Sequence, residues 1–186
     1  MNFNEHWNLE GKHAFLSPSS PYWLRYDNDK LLTVYRNMKA KEQGTKLHAF
    51  AADAIKYGVK LSHSRRTLNK YVNDAIGFGL QPEKILYYSP HCFGTADAIE
   101  FRDGLLRIHD LKTGKHPARF EQLEVYAALF CLEYGVDPNQ IDIVLRLYQS
   151  DEVFENIPES GLISDRINTI VESDAVLSSE DCQEEV

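Results

Sequence analysis

Residues 94 to 114, GTADAIEFRDGLLRIHDLKTG, decide the fold of this chain because they predict a β-hairpin. Two runs rich in strand-forming residues, 95–101 and 105–112, flank the dipeptide Asp103-Gly104. This dipeptide is typical of two-residue primed turns, which join antiparallel strands. The rest of the chain can therefore be interpreted around one hairpin.

The turn also fixes which residues of the hairpin face each other. The expected pairs are Arg102 with Leu105, Phe101 with Leu106, Ile99 with Ile108, Asp97 with Asp110, and Thr95 with Lys112. Because side chains alternate between the two faces of a strand, Asp97, Asp110 and Lys112 share one face. We expect this face to be apolar near the turn and charged farther from it.

Two facing aspartates require a compensating charge. Asp97 and Asp110 would lie about 5 Å apart at Cβ, where like charges cost a few tenths to about 1 kcal/mol. A hard divalent cation would offset this repulsion, since Mg²⁺ prefers a few carboxylate oxygens and keeps several of its waters. Lys112 would then point toward the ion and its bound water. The alternative is a solvated surface pair beside a lysine.

The segment after the hairpin predicts a helix followed by a strand. A helical pattern opens at Pro117 and ends at Gly135, and Gln122 and Tyr126 lie one turn apart on it. The alternation in IDIVLRLY, residues 141–148, predicts a strand. A right-handed crossover would place this strand parallel to the second hairpin strand, with the helix covering the sheet.

Two further helices are predicted before the hairpin. One spans about 39–57 and carries Gly44 and His48 four residues apart on one side; the other spans 64–76 and ends at Gly77. A glycine at position 44 would allow backbone or ligand to approach closely. His48 is either a helix histidine with local hydrogen bonds or a metal ligand.

In combination, four short motifs resemble the RecB-like branch of the PD-(D/E)XK nuclease superfamily, which includes phage exonucleases and CRISPR-associated relatives. They are GTKLH at 44–48, GTADAI at 94–99, HDLKTG at 109–114 and Q-x-x-x-Y at 122–126, in the order that the family has. The resemblance covers about residues 40–150. Asp110 stands where glutamate is more usual, a variation that this branch tolerates.

The resemblance implies an α/β fold with a restriction-endonuclease-like core, in which helices flank a central mixed β-sheet. By resemblance, the metal ligands would be His48, Asp97, Asp110 and the carbonyl of Leu111. Lys112 would orient or activate water, and Gln122 with Tyr126 would form an accessory catalytic pair near the DNA.

The activity that this resemblance implies is hydrolysis of DNA phosphodiester bonds with Mg²⁺ or Mn²⁺. The enzyme would be an exonuclease of phage or bacterial DNA recombination, repair or replication, acting on linear duplex or single-stranded DNA. Related phage exonucleases form rings, so a homo-oligomer is compatible with the resemblance. The alternative is a noncatalytic nucleic-acid-binding or partner-docking protein on the same scaffold.

Length and composition predict one domain with a single core. By resemblance, it would be a nuclease-like domain at 1–150, with a helical part at about 20–77 and a catalytic core at about 85–150. No run approaches the roughly 20 apolar residues of a membrane span, and the start lacks a secretory signal, so we expect a cytoplasmic protein without membrane contact. Three widely separated cysteines predict neither disulfides nor structural zinc. We expect no iron–sulfur cluster, which CRISPR-associated relatives often carry on four cysteines.

The net charge of −8 is distributed unevenly. Residues 151–186 carry −10 and predict an acidic segment, helical near 162–171 and disordered from 173, which would contact a basic protein partner or aid solubility. The remainder carries +2. The basic residues chosen as candidate DNA contacts are Arg36, Lys39, Lys41, Lys46, Arg65 and Arg66. For any one of them alone, a solvated helix surface is the better interpretation, so the DNA contact is assigned only to the group as a whole.

Overall fold

A computed structural model describes residues 4–114 and 117–184, with the backbone alone for the last two of these. The helices are α1 (Asn28–Lys56), α2 (Thr67–Phe78), α3 (Glu121–Tyr134) and α4 (Ser160–Glu184). The strands are β1 (Gln81–Ser89), β2 (Cys92–Arg102), β3 (Leu105–Leu111), β4 (Asp142–Gln149) and β5 (Glu152–Asn156). Short 3-10 turns occupy Trp7–Leu9, Pro21–Arg25 and Pro138–Gln140.

The chain forms two compact units, Met1–Gln43 and Gly44–Val186. In the first unit, the ring of Phe15 packs edge-on against that of Tyr35, with centroids 5.1 Å apart. The sequence predicts a helix from about residue 39, but α1 begins earlier, at Asn28. The reason is a cap that the sequence analysis missed, since Oδ1 of Asp27 accepts the N–H of Lys30 at 2.7 Å.

The second unit is built on a five-stranded mixed sheet in the order β1-β2-β3-β4-β5. β3 and β4 are parallel, as the crossover predicts, and the other neighbours are antiparallel. Asp103 and Gly104 have φ values of 53° and 77°, which identify the expected primed turn. The register is confirmed from Arg102 with Leu105 to Ala98 with His109. The α/β architecture with flanking helices is therefore confirmed.

Each face of the sheet carries its own hydrophobic cluster. Leu106, Ile108 and Leu145 pack with α3 on one face, whereas Leu111 and Tyr148 pack with α2 and the end of α1 on the other. Ala96 belongs to the first cluster and Ala98 to the second, although alternation predicts one face for both. The strand pair is thus irregular between these two alanines, at Asp97.

Helix α3 begins at Glu121 rather than at Pro117. The side chain of Gln149 accounts for the difference, because its oxygen accepts the N–H of Ala118 (3.0 Å) and its amide donates to the carbonyl of Gly114 (2.8 Å). These bonds hold the connection outside the helix. The end of α3 at Gly135, with φ of 64°, is as predicted.

The remaining differences concern helix ends and the C-terminal segment. The left-handed residue that ends α2 is Gly79 rather than Gly77. Residues 151–184 form β5 and then α4, whose helix continues to Glu184 through the part that composition predicts to be disordered. Ile163 and Ile170 of α4 are buried in the α3 cluster. Within the described ranges, no helix has the length and apolar content needed to cross a membrane.

Candidate active site

The predicted site residues lie at the end of the hairpin, between α1 and α3. Oδ2 of Asp97 accepts the backbone N–H of Leu111 at 2.9 Å and lies 3.2 Å from Nδ1 of His48 on α1. Asp110 is near the end of β3, and Lys112 follows that strand and reaches α3. The hairpin, the helix before it and the helix after it therefore all contribute to one site.

A chain of side-chain contacts connects Asp110 to α3. Nζ of Lys112 donates to Oδ1 of Asp110 (3.1 Å) and to Oε1 of Gln122 (2.5 Å). Nε2 of Gln122 in turn donates to the hydroxyl of Tyr126 (3.2 Å). The spacing of one helical turn between Gln122 and Tyr126 makes this last contact available. The Lys112 ammonium is thereby held between a carboxylate and α3.

The two oxygens of Asp110, a residue that is 2% exposed, have different environments. Oδ1 accepts the bond from Lys112, whereas Oδ2 lies 2.9 Å from the same nitrogen without hydrogen-bond geometry. Burial and then the charge of Asp97 raise the pKa of Asp110 to about 6, against the lowering effect of Lys112. A buried polar atom without a partner costs about 1–3 kcal/mol. Asp110 is therefore suited to accept a cation.

Glu83, which the sequence analysis did not identify, lies with His48 and Asp97. One potential ligand atom of each residue lies within 4.8 Å of the other two. We call these three residues the His48–Glu83–Asp97 group; they come from α1, β1 and β2. Asp110, a predicted metal ligand, is outside this group in the described part of the chain and instead pairs with Lys112.

The pKa shifts in the site follow from its concentration of carboxylates. A hydrogen bond to Asp97 raises the pKa of His48, and burial only partly opposes this effect. Burial and then the charge of Asp97 raise the pKa of Glu83. Tyr71 of α2 is buried, and its pKa is raised first by burial and then by the charges of Asp97 and Asp110. The negative charge of the site thus exceeds what His48 and Lys112 offset.

Two glycines of the motifs allow close approaches that support the site. A Cβ atom at Gly44 would lie 2.7 Å from Oγ1 of Thr113, the residue after Lys112. A Cβ atom at Gly94 would lie 3.0 Å from the ring of Tyr126. A larger residue at either position would therefore displace the segment that carries Lys112 or the tyrosine ring whose hydroxyl accepts a bond from Gln122.

The six basic residues predicted to contact DNA are all exposed. Three lie in the first unit and three in the second: Arg36, Lys39 and Lys41, and Lys46, Arg65 and Arg66. Lys39 forms a surface ion pair with Glu42 at 2.9 Å. Because these residues are exposed, they are accessible to a polyanion such as DNA. That they contact DNA stays a prediction.

An open cleft of about 330 Å³ adjoins Lys112. Its walls include Leu47 of α1, Thr67 of α2 and Leu111 of β3. Leu111 takes part in the site through its N–H, which Asp97 accepts. The role predicted for its carbonyl as a metal ligand stays a prediction.

The donor set fits a divalent cation. The site offers imidazole nitrogen from His48 and carboxylate oxygens from Glu83, Asp97 and Asp110, and Oδ2 of Asp110 is buried without a hydrogen bond in the described part of the chain. Carboxylates suit Mg²⁺ and Mn²⁺, and imidazole is also a ligand of transition metals. An ion here would offset the carboxylate charge that raises the pKa of Asp110.

Comparisons of this chain with protein-family models, with curated protein sequences and with solved structures found no match. A function for this chain therefore has to be inferred from the geometry of these residues.

Proposed function

We propose that this protein is a divalent-metal-dependent nuclease that hydrolyses DNA phosphodiester bonds, with a restriction-endonuclease-like core. The observation that carries the proposal is that Asp97 and Asp110 lie at the same hairpin end as Lys112, whose ammonium is fixed by both Asp110 and Gln122. A carboxylate pair that can hold a metal ion, beside a positioned amine, is suited to phosphodiester hydrolysis.

His48, Asp97 and Asp110 would hold the ion. Mg²⁺ or Mn²⁺ bound by these residues would polarise a phosphoryl oxygen and lower the pKa of bound water. The buried Oδ2 of Asp110 supports this assignment, because it makes no hydrogen bond in the described part of the chain and has only the Lys112 ammonium beside it, at 2.9 Å.

Lys112 would hold the attacking water in line with the phosphate and offset the negative charge that develops in the transition state. Its two hydrogen bonds restrict the long side chain to one arrangement, so little ordering is needed when substrate binds. Gln122 and Tyr126 act as positioning residues for that amine. We expect Lys112→Ala to abolish cleavage while leaving DNA binding largely intact.

DNA is the proposed substrate, and free ends are the proposed point of attack, by resemblance to the phage exonucleases of the RecB-like branch. The exposed Lys46 of α1 and Arg65, which precedes α2, would contact the phosphate backbone. Such contacts predict binding that weakens as salt increases.

The test uses purified protein with Mg²⁺ or Mn²⁺, end-labelled linear DNA and covalently closed circular DNA. Variants Asp110→Ala and Lys112→Ala are compared with wild type and with Asp142→Ala, an exposed carboxylate at the opposite end of the parallel strand pair. We expect wild type and Asp142→Ala to degrade only the linear substrate, and both site variants to leave it intact.

Other outcomes separate the alternatives. Nicking of the circular DNA would assign an endonuclease. DNA binding without cleavage of either substrate, followed by the same result with RNA, would refute the proposed hydrolysis and favour a noncatalytic nucleic-acid-binding protein.

A further inference from the structure

The backbone of Glu83 is unusual for a residue inside a strand. The neighbouring pairs, Pro82 with Ala98 and Lys84 with Ala96, place Glu83 opposite Asp97. Glu83 has a φ of 50°, in the left-handed region that favours glycine. The other three non-glycine residues with positive φ in the described ranges lie in the two hairpin turns. A residue held in this region costs about 1–3 kcal/mol, and such residues cluster at functional sites.

This backbone conformation brings a second carboxylate to Asp97 and His48. Like charges facing each other across a strand pair destabilise it by about 0.2–1 kcal/mol. Glu83 therefore adds a conformational cost and an electrostatic cost, and His48 alone offsets the charge within the His48–Glu83–Asp97 group. A cation bound by the three residues would compensate for both costs.

Two further observations point to an ion at this position. Oδ2 of Asp110 is buried and makes no hydrogen bond in the described part of the chain, although Nζ of Lys112 lies 2.9 Å from it. Glu83 also lines an open cleft of about 580 Å³ formed with the end of α1, including Ala52 and Lys56. The cleft makes the Glu83 side chain accessible from solvent.

We infer that Glu83 is a ligand of the bound divalent ion, so that His48, Glu83 and Asp97 hold it from α1, β1 and β2. The inference rests on the metal dependence of the proposed function and extends it to a residue outside the four motifs. Asp110, which contacts Lys112, would bind the same ion beside this group.

The direct test is calorimetric titration of the protein with Mn²⁺ alone, in the absence of nucleic acid. Glu83→Gln keeps the size and polarity of the side chain and removes its charge. We expect the Mn²⁺ dissociation constant to rise by about tenfold or more, since even residues that only support a metal ligand contribute about 10–100-fold. Glu152→Gln, on the exposed strand β5, is the control and should bind Mn²⁺ like wild type.

Thermal unfolding distinguishes a ligand from a residue that only supports the fold. Because Glu83→Gln removes a repelling charge, its melting temperature without metal should equal or exceed that of wild type, while its increase on adding Mn²⁺ should be much smaller. Glu83→Gly also relieves the positive φ and should behave in the same way. A lower melting temperature without metal, together with an unchanged increase on adding Mn²⁺, would contradict the inference.

The two proposals fail in different ways. If wild type binds Mn²⁺ through Glu83 but cuts no nucleic acid, the nuclease proposal falls and the metal ligand stands. If wild type cuts DNA and Glu83→Gln binds Mn²⁺ within twofold of wild type, the inference about Glu83 falls alone. Wild type that binds no Mn²⁺ overturns this inference as well.

Discussion

Replacing Asp110 by asparagine should make the stability of the metal-free protein respond differently to pH. In the folded protein, burial and Asp97 raise the pKa of Asp110 from 3.8 to about 6. A carboxyl with a raised folded pKa stabilises the fold fully below its unfolded pKa, and this stabilisation is lost as the pH rises through about 6. The amide introduced by Asp110→Asn has no proton to lose in this range, so the variant should lack this loss.

The magnitude follows from the pKa shift. Each pKa unit corresponds to about 1.4 kcal/mol, so a shift of about two units corresponds to about 3 kcal/mol over the whole range. Between pH 4 and pH 7, ionisation of Asp110 should lower the free energy of unfolding of wild type by roughly 2.5 kcal/mol. The free energy of unfolding of Asp110→Asn, relative to wild type, should therefore rise by about 2–3 kcal/mol over that interval. Any pH-independent cost of the amide cancels in this comparison.

The assay is urea unfolding with a chelator present, at pH values from 4 to 7, for wild type, Asp110→Asn and the exposed control Asp142→Asn. Measuring the difference between proteins is essential because His109 acts in the opposite direction. Burial, followed by the charges of Arg146 and Arg107, lowers its pKa to about 3, so it destabilises the fold as the pH falls. A difference between Asp110→Asn and wild type that stays constant with pH would refute the reasoning. Saturating Mn²⁺ should reverse the sign at pH 7, because the ion requires an ionised Asp110.

Three other predictions concern the contacts around the site and the C-terminal helix. Gly44→Ala should lower the free energy of unfolding by about 1 kcal/mol, because the new Cβ would meet Thr113 at 2.7 Å, whereas Gly77→Ala in α2 should raise it by about 0.5–1 kcal/mol. If urea unfolding gave the same increase in the free energy of unfolding for Gly44→Ala and Gly77→Ala, the close contact at Gly44 would be contradicted. Gly94→Ala should displace Tyr126 and reduce cleavage by about tenfold to a hundredfold in the DNA assay. Unchanged turnover would show that Tyr126 does not help to position Lys112 through Gln122. His91→Gln should accelerate amide exchange near the end of α4 at pH 6 but much less at pH 8. The imidazolium bonds to Asp181 (2.7 Å) and Asp174 (3.2 Å), which raise its pKa, and this attraction is lost as the pH rises through that raised value. Equal acceleration at both pH values would show that the charge of His91 is irrelevant.

The parts of the fold that the sequence predicts correctly are those with local signals. The turn at Asp103-Gly104 has φ values that few other residues adopt, so it fixes the hairpin register without any knowledge of the rest of the chain. The β4 alternation and the crossover rule then predict the parallel pairing with β3. The contacts of Asp110, Lys112 and Gln122 follow from these elements, because each is fixed by strand alternation or helical spacing.

Glu83 could not be found in this way. Pro82 beside it argues against a central strand and is tolerated here because β1 lies at the edge of the sheet. The contribution of Glu83 depends on a positive φ opposite Asp97, and no local pattern encodes a backbone irregularity that is stabilised by another strand. The only available signal was an acidic residue in a segment without an assigned element.

The C-terminal segment was predicted only in part. The helix expected near residues 162–171 is present, and Ile163 and Ile170, seven residues apart, are both buried in the α3 cluster. Arg166, the one basic residue of the segment, pairs with the buried Glu124 at 2.8 Å. From residue 173 the acidic composition predicts disorder, but α4 continues there, where His91 contacts Asp174 (3.2 Å) and Asp181 (2.7 Å).

The electrostatics of the site link its stability to its proposed chemistry. Burial and then the charge of Asp97 disfavour the ionised forms of both Glu83 and Asp110 and raise their pKa values. Without an ion, the folded protein bears this cost at neutral pH, and protonation relieves it only under acidic conditions. A divalent cation would relieve it at neutral pH, so the repulsion among the carboxylates becomes part of the affinity for the ion. The same residues should therefore make the metal-free protein less stable and the metal-bound protein more stable than their neutral variants. A purely structural set of carboxylates predicts no such reversal of sign.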